Sequence, residues 1–218
     1  MRLWSIGLFA VVFLLSTGCR ASGKEAASTD STAARNPFAG TEGPKRVDSL
    51  TFELALENGK RLTFRDNPAE GDNYVRHEYL GRVAGIGYYL IRRQFYESVQ
   101  YLLVQPRTGI TAVVADSPLV SPDQKRILVA SMNFADGESP NSLEVWQVAS
   151  DSLRLEFRVE TGAEDTMTGW GPSNARWISS DSATFTRNYP IKNTAEFRES
   201  PGWLVLHPSG WEIQDHRP

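Results

Sequence analysis

A single cysteine, Cys19, is all the sulfhydryl chemistry this 218-residue chain possesses. A disulfide and a cysteine-rich zinc site each need a second sulfur, so both are excluded. The three histidines, His77, His207 and His216, show no metal-ligand spacing, and each reads as a structural or surface group. No G-x-S-x-G elbow, phosphate-cradling glycine loop or H-E-x-x-H pair occurs. Positive charge is short as well. Lys and Arg number 23 against 26 Asp and Glu, a net charge of −3, which excludes a generally basic nucleic-acid binder. Beyond Val47 there is no amphipathic helix of useful length. The chain therefore predicts no catalytic residue, no cofactor and no metal, and it reads as a non-enzymatic protein.

Long apolar runs are also lacking, with one exception at the start. Arg2 precedes the uncharged, mostly apolar stretch Leu3 to Leu15, and Ser16-Thr17-Gly18-Cys19 follows. A basic start, a short greasy segment and a small-residue cleavage site define a secretory signal peptide. The stretch falls short of the ~20 apolar residues a membrane span requires. Leu14-Leu15-Ser16-Thr17-Gly18-Cys19 resembles the lipobox of bacterial lipoproteins, with Ser16 standing where leucine is favoured. That resemblance implies cleavage before Cys19, lipid on its sulfur, and an exported protein anchored to a membrane and facing the periplasm or cell exterior.

Residues 1–18 are thus the signal peptide, and 19–46 the lipidated cysteine with a tether. Arg20 to Ala34 is small and polar, and Asn36-Pro37 and Gly43-Pro44 add breakers. Such composition buries too little apolar area to offset the entropy of ordering. As a random coil the tether reaches roughly 25–30 Å. The folded domain is expected over 47–218.

That domain reads as all-β, an antiparallel meander of successive hairpins. Phe52, Leu54 and Leu56 alternate with polar neighbours before Asn58-Gly59, a strong hairpin turn signal. Six further turns follow, near 85–87, 107–109, 123–125, 150–152, 180–182 and 208–210. Two hairpin sets align without gaps at an offset of 58: Ile127 on Phe185, Val145 on Trp203, Trp146 on Leu204, and Leu153 on Trp211. The pair starting at Tyr101 aligns on the pair at Leu143 with an offset of 43. Ser121-Pro122-Asp123-Gln124-Lys125, then Arg126 to Val129 and Leu143 to Val148, resembles a WD40-like β-propeller blade of the bacterial secreted kind. Gln124 replaces that family's turn glycine. The resemblance implies a small or incomplete propeller and a protein-binding platform. A β-sandwich or barrel fits the same pattern of strands.

In a meander the connections alternate between the two sheet ends, which places the long ones (65–73, 133–142, 161–171 and 188–200) on one edge. Long loops on a rigid scaffold are where binding resides. Their side chains count three cationic (Arg65, Lys192, Arg198) against nine acidic, among them Asp66, Glu70, Asp72, Glu196 and Glu199. Asp136, Glu138, Glu164 and Asp165 are the expected binding carboxylates. Trp170, in Thr168-Gly169-Trp170-Gly171-Pro172, is the aromatic expected to join them, whereas Trp146, Trp177, Trp203 and Trp211 sit inside strands as core. The expected function is a lipid-anchored binding or scaffold domain of the cell envelope, whose partner carries a basic surface. The alternative is a secreted hydrolase or carbohydrate-binding protein using the same acidic edge.

Overall fold

A computed structural model describes residues 44–134, 140–161 and 169–217, all within the unit Asn36–Pro218. The strands form four antiparallel sheets, each a meander of consecutive elements. The first sheet holds β1 (Lys45–Arg46), β2 (Thr51–Ala55) and β3 (Arg61–Arg65). The second holds β4 (Arg76–Arg82), β5 (Tyr89–Gln94), β6 (Val99–Val104) and β7 (Thr111–Val114). β8 (Leu119–Val120), β9 (Arg126–Ser131), β10 (Asn141–Val148) and β11 (Leu153–Thr161) form the third. The fourth comprises β12 (Gly171–Ser179), β13 (Ser182–Pro190), β14 (Phe197–His207) and β15 (Gly210–Gln214). The all-β meander is as the strand pattern predicts, and no sheet closes into a barrel. Lys45 and Arg46 already pair with Glu53 and Phe52, so ordered pairing begins two residues ahead of Val47.

Turn chemistry explains the hairpins. Gly59 takes φ +80°, and the Asn58 side chain accepts from the Lys60 amide at 2.9 Å. Gln124 adopts φ 62°, the conformation glycine supplies in the turn it resembles. That position is held by its neighbours: Ser121 Oγ donates to Asp123 Oδ1 at 2.7 Å, and the Arg126 amide donates to Ser121 Oγ at 3.0 Å. An L-residue in this region costs roughly 1–2 kcal/mol, which the local hydrogen bonds offset.

Successive sheets pack face to face. Phe52, Leu54 and Phe64 of the first sheet meet Tyr89, Ile91, Leu102 and Val104 of the second. Leu90, Leu103 and Val114 of the second meet Ile127 and Val129 of the third. Leu128, Leu143 and Val145 of the third meet Ala183, Phe185, Leu204 and Trp211 of the fourth. Adjacent strand residues point to opposite faces. Leu90 and Ile91, or Ile127, Leu128 and Val129, therefore serve two different cores. This is why the middle strands are continuously apolar rather than alternating.

Among the described residues no core cluster joins the fourth sheet to the first. Their outward faces suit an end position. The first presents Glu53, paired with Arg61 at 2.8 Å, and Thr63 beside it. The fourth presents Thr184 and Gln214 on either side of Trp203.

The offset of 58 keeps every facing. Ile127 and Trp146 look back to the second sheet just as Phe185 and Leu204 look back to the third. The offset of 43 does not. It sets Leu103, which faces forward, on Trp146, which faces backward, so the aligned residues point to opposite faces. Trp203 also departs from expectation. It takes the place of Val145, but no further sheet packs there among the described residues, so it is half-buried on an outer face rather than core.

Candidate functional site

Short turns at 56–60, 105–110 and 149–152 share one edge, tied by Glu57 N to Pro106 O at 2.9 Å and Gln105 Nε2 to Ser150 O at 2.9 Å. The alternate connections 66–75, 95–98, 115–118 and 191–196, the first of them the longest, lie on the opposite edge, with the flanks of 135–139 and 162–168. There Phe134 stacks on Phe197 at 5.3 Å, and Asn188 Nδ2 donates to Gly171 O at 2.9 Å. Asp136, Glu138, Glu164, Asp165 and Cys19 lie outside the described residues. Trp170 is half-buried at this edge, stacked on Phe185 at 5.5 Å with the Arg187 guanidinium 5.6 Å from its ring centre. It packs on the core between the third and fourth sheets.

Asp66, one of the loop carboxylates, is already engaged. Its Oδ1 accepts from the His77 amide at 2.7 Å and lies 3.1 Å from His77 Nδ1, while Arg46 approaches Oδ2 at 3.5 Å. His77 is buried beside Phe64. Burial drives its pKa below the ordinary 6.5, outweighing the pull of Asp66 in the other direction. A depressed histidine means the unfolded chain binds the extra proton first. Stability should therefore fall as pH drops from 6.5 toward the folded value. His77→Phe should lack this slope, as read from urea midpoints at two pH values.

Two adjoining depressions at the long-loop edge share Gln100. The outer one, about 400 Å³, is lined by Asp72, Phe95, Tyr96, Glu97 and Ser98. Tyr96 is 62% exposed, the highest value among the large apolar side chains described. The inner one is a cleft of about 190 Å³ between the second and third sheets. Val99 and Val114 form its apolar wall, and Ser131, Ser142, Glu144, Arg158 and Glu160 its polar one.

Cross-strand register builds that polar wall. Ser131, Ser142 and Glu160 are direct partners across β9, β10 and β11, and so are Val129, Glu144 and Arg158. Leu143 and Val145 turn the other way, into the core with the fourth sheet. Glu144 is only 3% exposed. Arg158 Nε lies 3.1 Å from its Oε1, and Trp146 Nε1 donates to its Oε2 at 2.7 Å. Burial pushes the Glu144 carboxyl above its ordinary range, with the indole and Arg158 opposing. Arg158 Nη1 also reaches Glu160 Oε1, at 3.7 Å. Asp72 and Glu97 make no ion pair among the described residues. Along the groove four carboxylates thus meet two guanidiniums, Arg158 and Arg93, the latter donating to Gln100 Oε1 at 2.5 Å.

Of these carboxylates only Asp72 is anticipated by loop counting. Glu144 and Glu160 escape notice because polar positions alternating with Leu143 and Val145 read as a solvent face. In a stack of sheets that second face is covered too. Among the described residues no three His, Cys, Asp or Glu side chains group as metal ligands would. No protein-family model, no curated protein and no solved structure matches the chain.

Proposed function

We propose that this chain is a non-enzymatic binding domain, lipid-anchored outside the cytoplasm of a bacterial cell, that captures a basic envelope protein along its long-loop edge. In this reading the sheets are blades of an open propeller-like platform, and residues 19–46 are the tether. The observation that carries it is the acidic groove running from Asp72 and Glu97 to Glu144 and Glu160. A cleft lined by one sign of charge concentrates an oppositely charged partner and speeds its encounter. Tyr96 offers the apolar contact that charge lacks. Both oxygens of Glu144 are held by Arg158 and Trp146, which favours a fixed binding wall over a proton-transferring acid.

One observation favours the hydrolase or carbohydrate reading: Glu144 and Glu160 converge on the same guanidinium in a groove that includes Tyr96. Glycosidic cleavage needs two carboxylates within about 5–10 Å, at least one of them free to protonate a leaving oxygen.

The test uses the mature lipidated protein, immobilised and exposed to solubilised envelope. A basic protein should be retained at low salt, released at high salt, and lost by the variant carrying Asp72→Asn, Glu97→Gln and Glu160→Gln. Equal retention by both proteins, or turnover of a glycan by the wild type, would contradict the proposal. The anchor has its own readout: Cys19→Ser should release the protein or leave it unprocessed, and an unmodified Cys19 in mature protein would refute lipidation.

A further inference from the structure

We propose that the inner cleft between the second and third sheets takes the side chain of a lysine from the basic partner, so that this one residue anchors the complex. The inference rests on the binding reading above and names the chemistry that the groove selects. A lysine presents an aliphatic stem ending in a compact ammonium with three donors. The cleft offers the complement of each part. Val99 and Val114 make an apolar wall for the stem, and the facing wall ends in Glu160, whose side chain is 50% exposed.

Charge leaves room for one cation. Glu144 and Arg158 form a close pair at 3.1 Å, while Glu160 retains only the longer 3.7 Å approach of the same guanidinium. The cluster of two carboxylates and one guanidinium is therefore one positive charge short of neutral. Ser142 supplies an independent sign of an unmet contact. It is 3% exposed, lines the cleft directly opposite Glu160 in the β10–β11 register, and its hydroxyl has no partner among the described residues. Hydroxyl groups at such depth are normally paired.

Size and shape narrow the choice. The cleft, about 190 Å³, has room for an alkylammonium side chain entering from its open mouth. A guanidinium suits the site less well, because Arg158 already lies between the two carboxylates as a planar fork, whereas an ammonium acts as a point charge.

Calorimetry on the full mature protein tests this with three probes: acetyl-Gly-Lys-Gly-amide, the same peptide with norleucine for lysine, and n-butylammonium. The lysine peptide should bind, and the norleucine peptide should bind about tenfold more weakly or not at all. Glu160→Gln, at a half-exposed position that leaves the core intact, should remove that preference without changing the melting temperature. Val99→Asn, on the opposite wall at the half-buried start of β6, should weaken the lysine peptide while leaving the fold intact. Indistinguishable lysine and norleucine peptides, or unchanged binding by Glu160→Gln, would overturn the lysine site. Tighter binding of n-butylammonium than of the peptide would overturn the protein source and assign the cleft to a free amine. If the lysine site fails while partner capture still depends on Asp72 and Glu97, the binding reading survives alone. If lysine binds but no envelope protein is captured, that broader reading falls instead.

Discussion

Leu128→Ala should lower the unfolding free energy by about 2–5 kcal/mol, a drop of roughly 10 °C in melting temperature for a domain of this size. Leu128 is fully buried at the centre of β9, where it sits beside its cross-strand partner Val145 and shares the core between the third and fourth sheets with Phe185 and Leu204. Truncation there removes transfer energy and leaves a cavity that two packed sheets cannot easily close. Trp203→Ala gives the contrast. The larger side chain is deleted, yet it lies on the outer face of the fourth sheet, so the loss should stay near 1 kcal/mol or below. Urea titrations followed by far-ultraviolet circular dichroism measure both. A larger loss from Trp203→Ala than from Leu128→Ala would mean that another surface covers the fourth sheet.

The second large effect belongs to the pair in the cleft. Arg158→Met should cost about 3 kcal/mol at neutral pH, because it leaves the buried Glu144 carboxylate with only the Trp146 indole as donor. The sign of its pH dependence follows from burial, which already raises the Glu144 pKa above the ordinary 4.5. Between 4.5 and the raised value the folded state holds the extra proton, so stability falls as pH rises through that window. Acidification toward its lower end should therefore return part of the loss in Arg158→Met. The double variant Arg158→Met with Glu144→Leu should be more stable than Arg158→Met alone at neutral pH, since the stranded charge is gone. A single variant as stable as wild type at neutral pH would show that Glu144 is not held by Arg158.

The strands and turns are legible in the sequence because their signals are local. Asn58-Gly59 demands a tight turn wherever it lies, and Phe52 and Leu54 alternate because the outer side of the first sheet is wet. What lies between sheets is not local. Glu144 reads as solvent-facing beside Leu143 and Val145 until a second sheet is known to cover its side of β10. The same gap misplaces Trp203, whose position matches Val145 in the repeat but lacks the neighbour that buries Val145. The offset of 43 fails for a related reason: apolar residues on both faces of β6 leave the alternation without a parity to read. Long connections on one edge follow from the meander itself, and Asp72 is found that way. Glu160 and Arg158 are not, because only the register of β10 against β11 brings them beside Glu144. Asp136, Glu138, Glu164 and Asp165 lie outside the described residues, and the acidic groove is built from other carboxylates.

Backbone amide shifts, recorded while a lysine-rich peptide is added to the mature protein, test the central claim most directly. At low salt the changes should concentrate at Asp72, Tyr96 to Gln100, Ser131, Ser142 and Glu160. The short-turn edge around Asn58, Gly109, Asp151 and Gly210 should stay still. At 1 M salt, where screening acts within about 3 Å, the response should largely vanish. Changes centred on the short-turn edge, or a response indifferent to salt, would contradict the assignment of the acidic groove as the binding site.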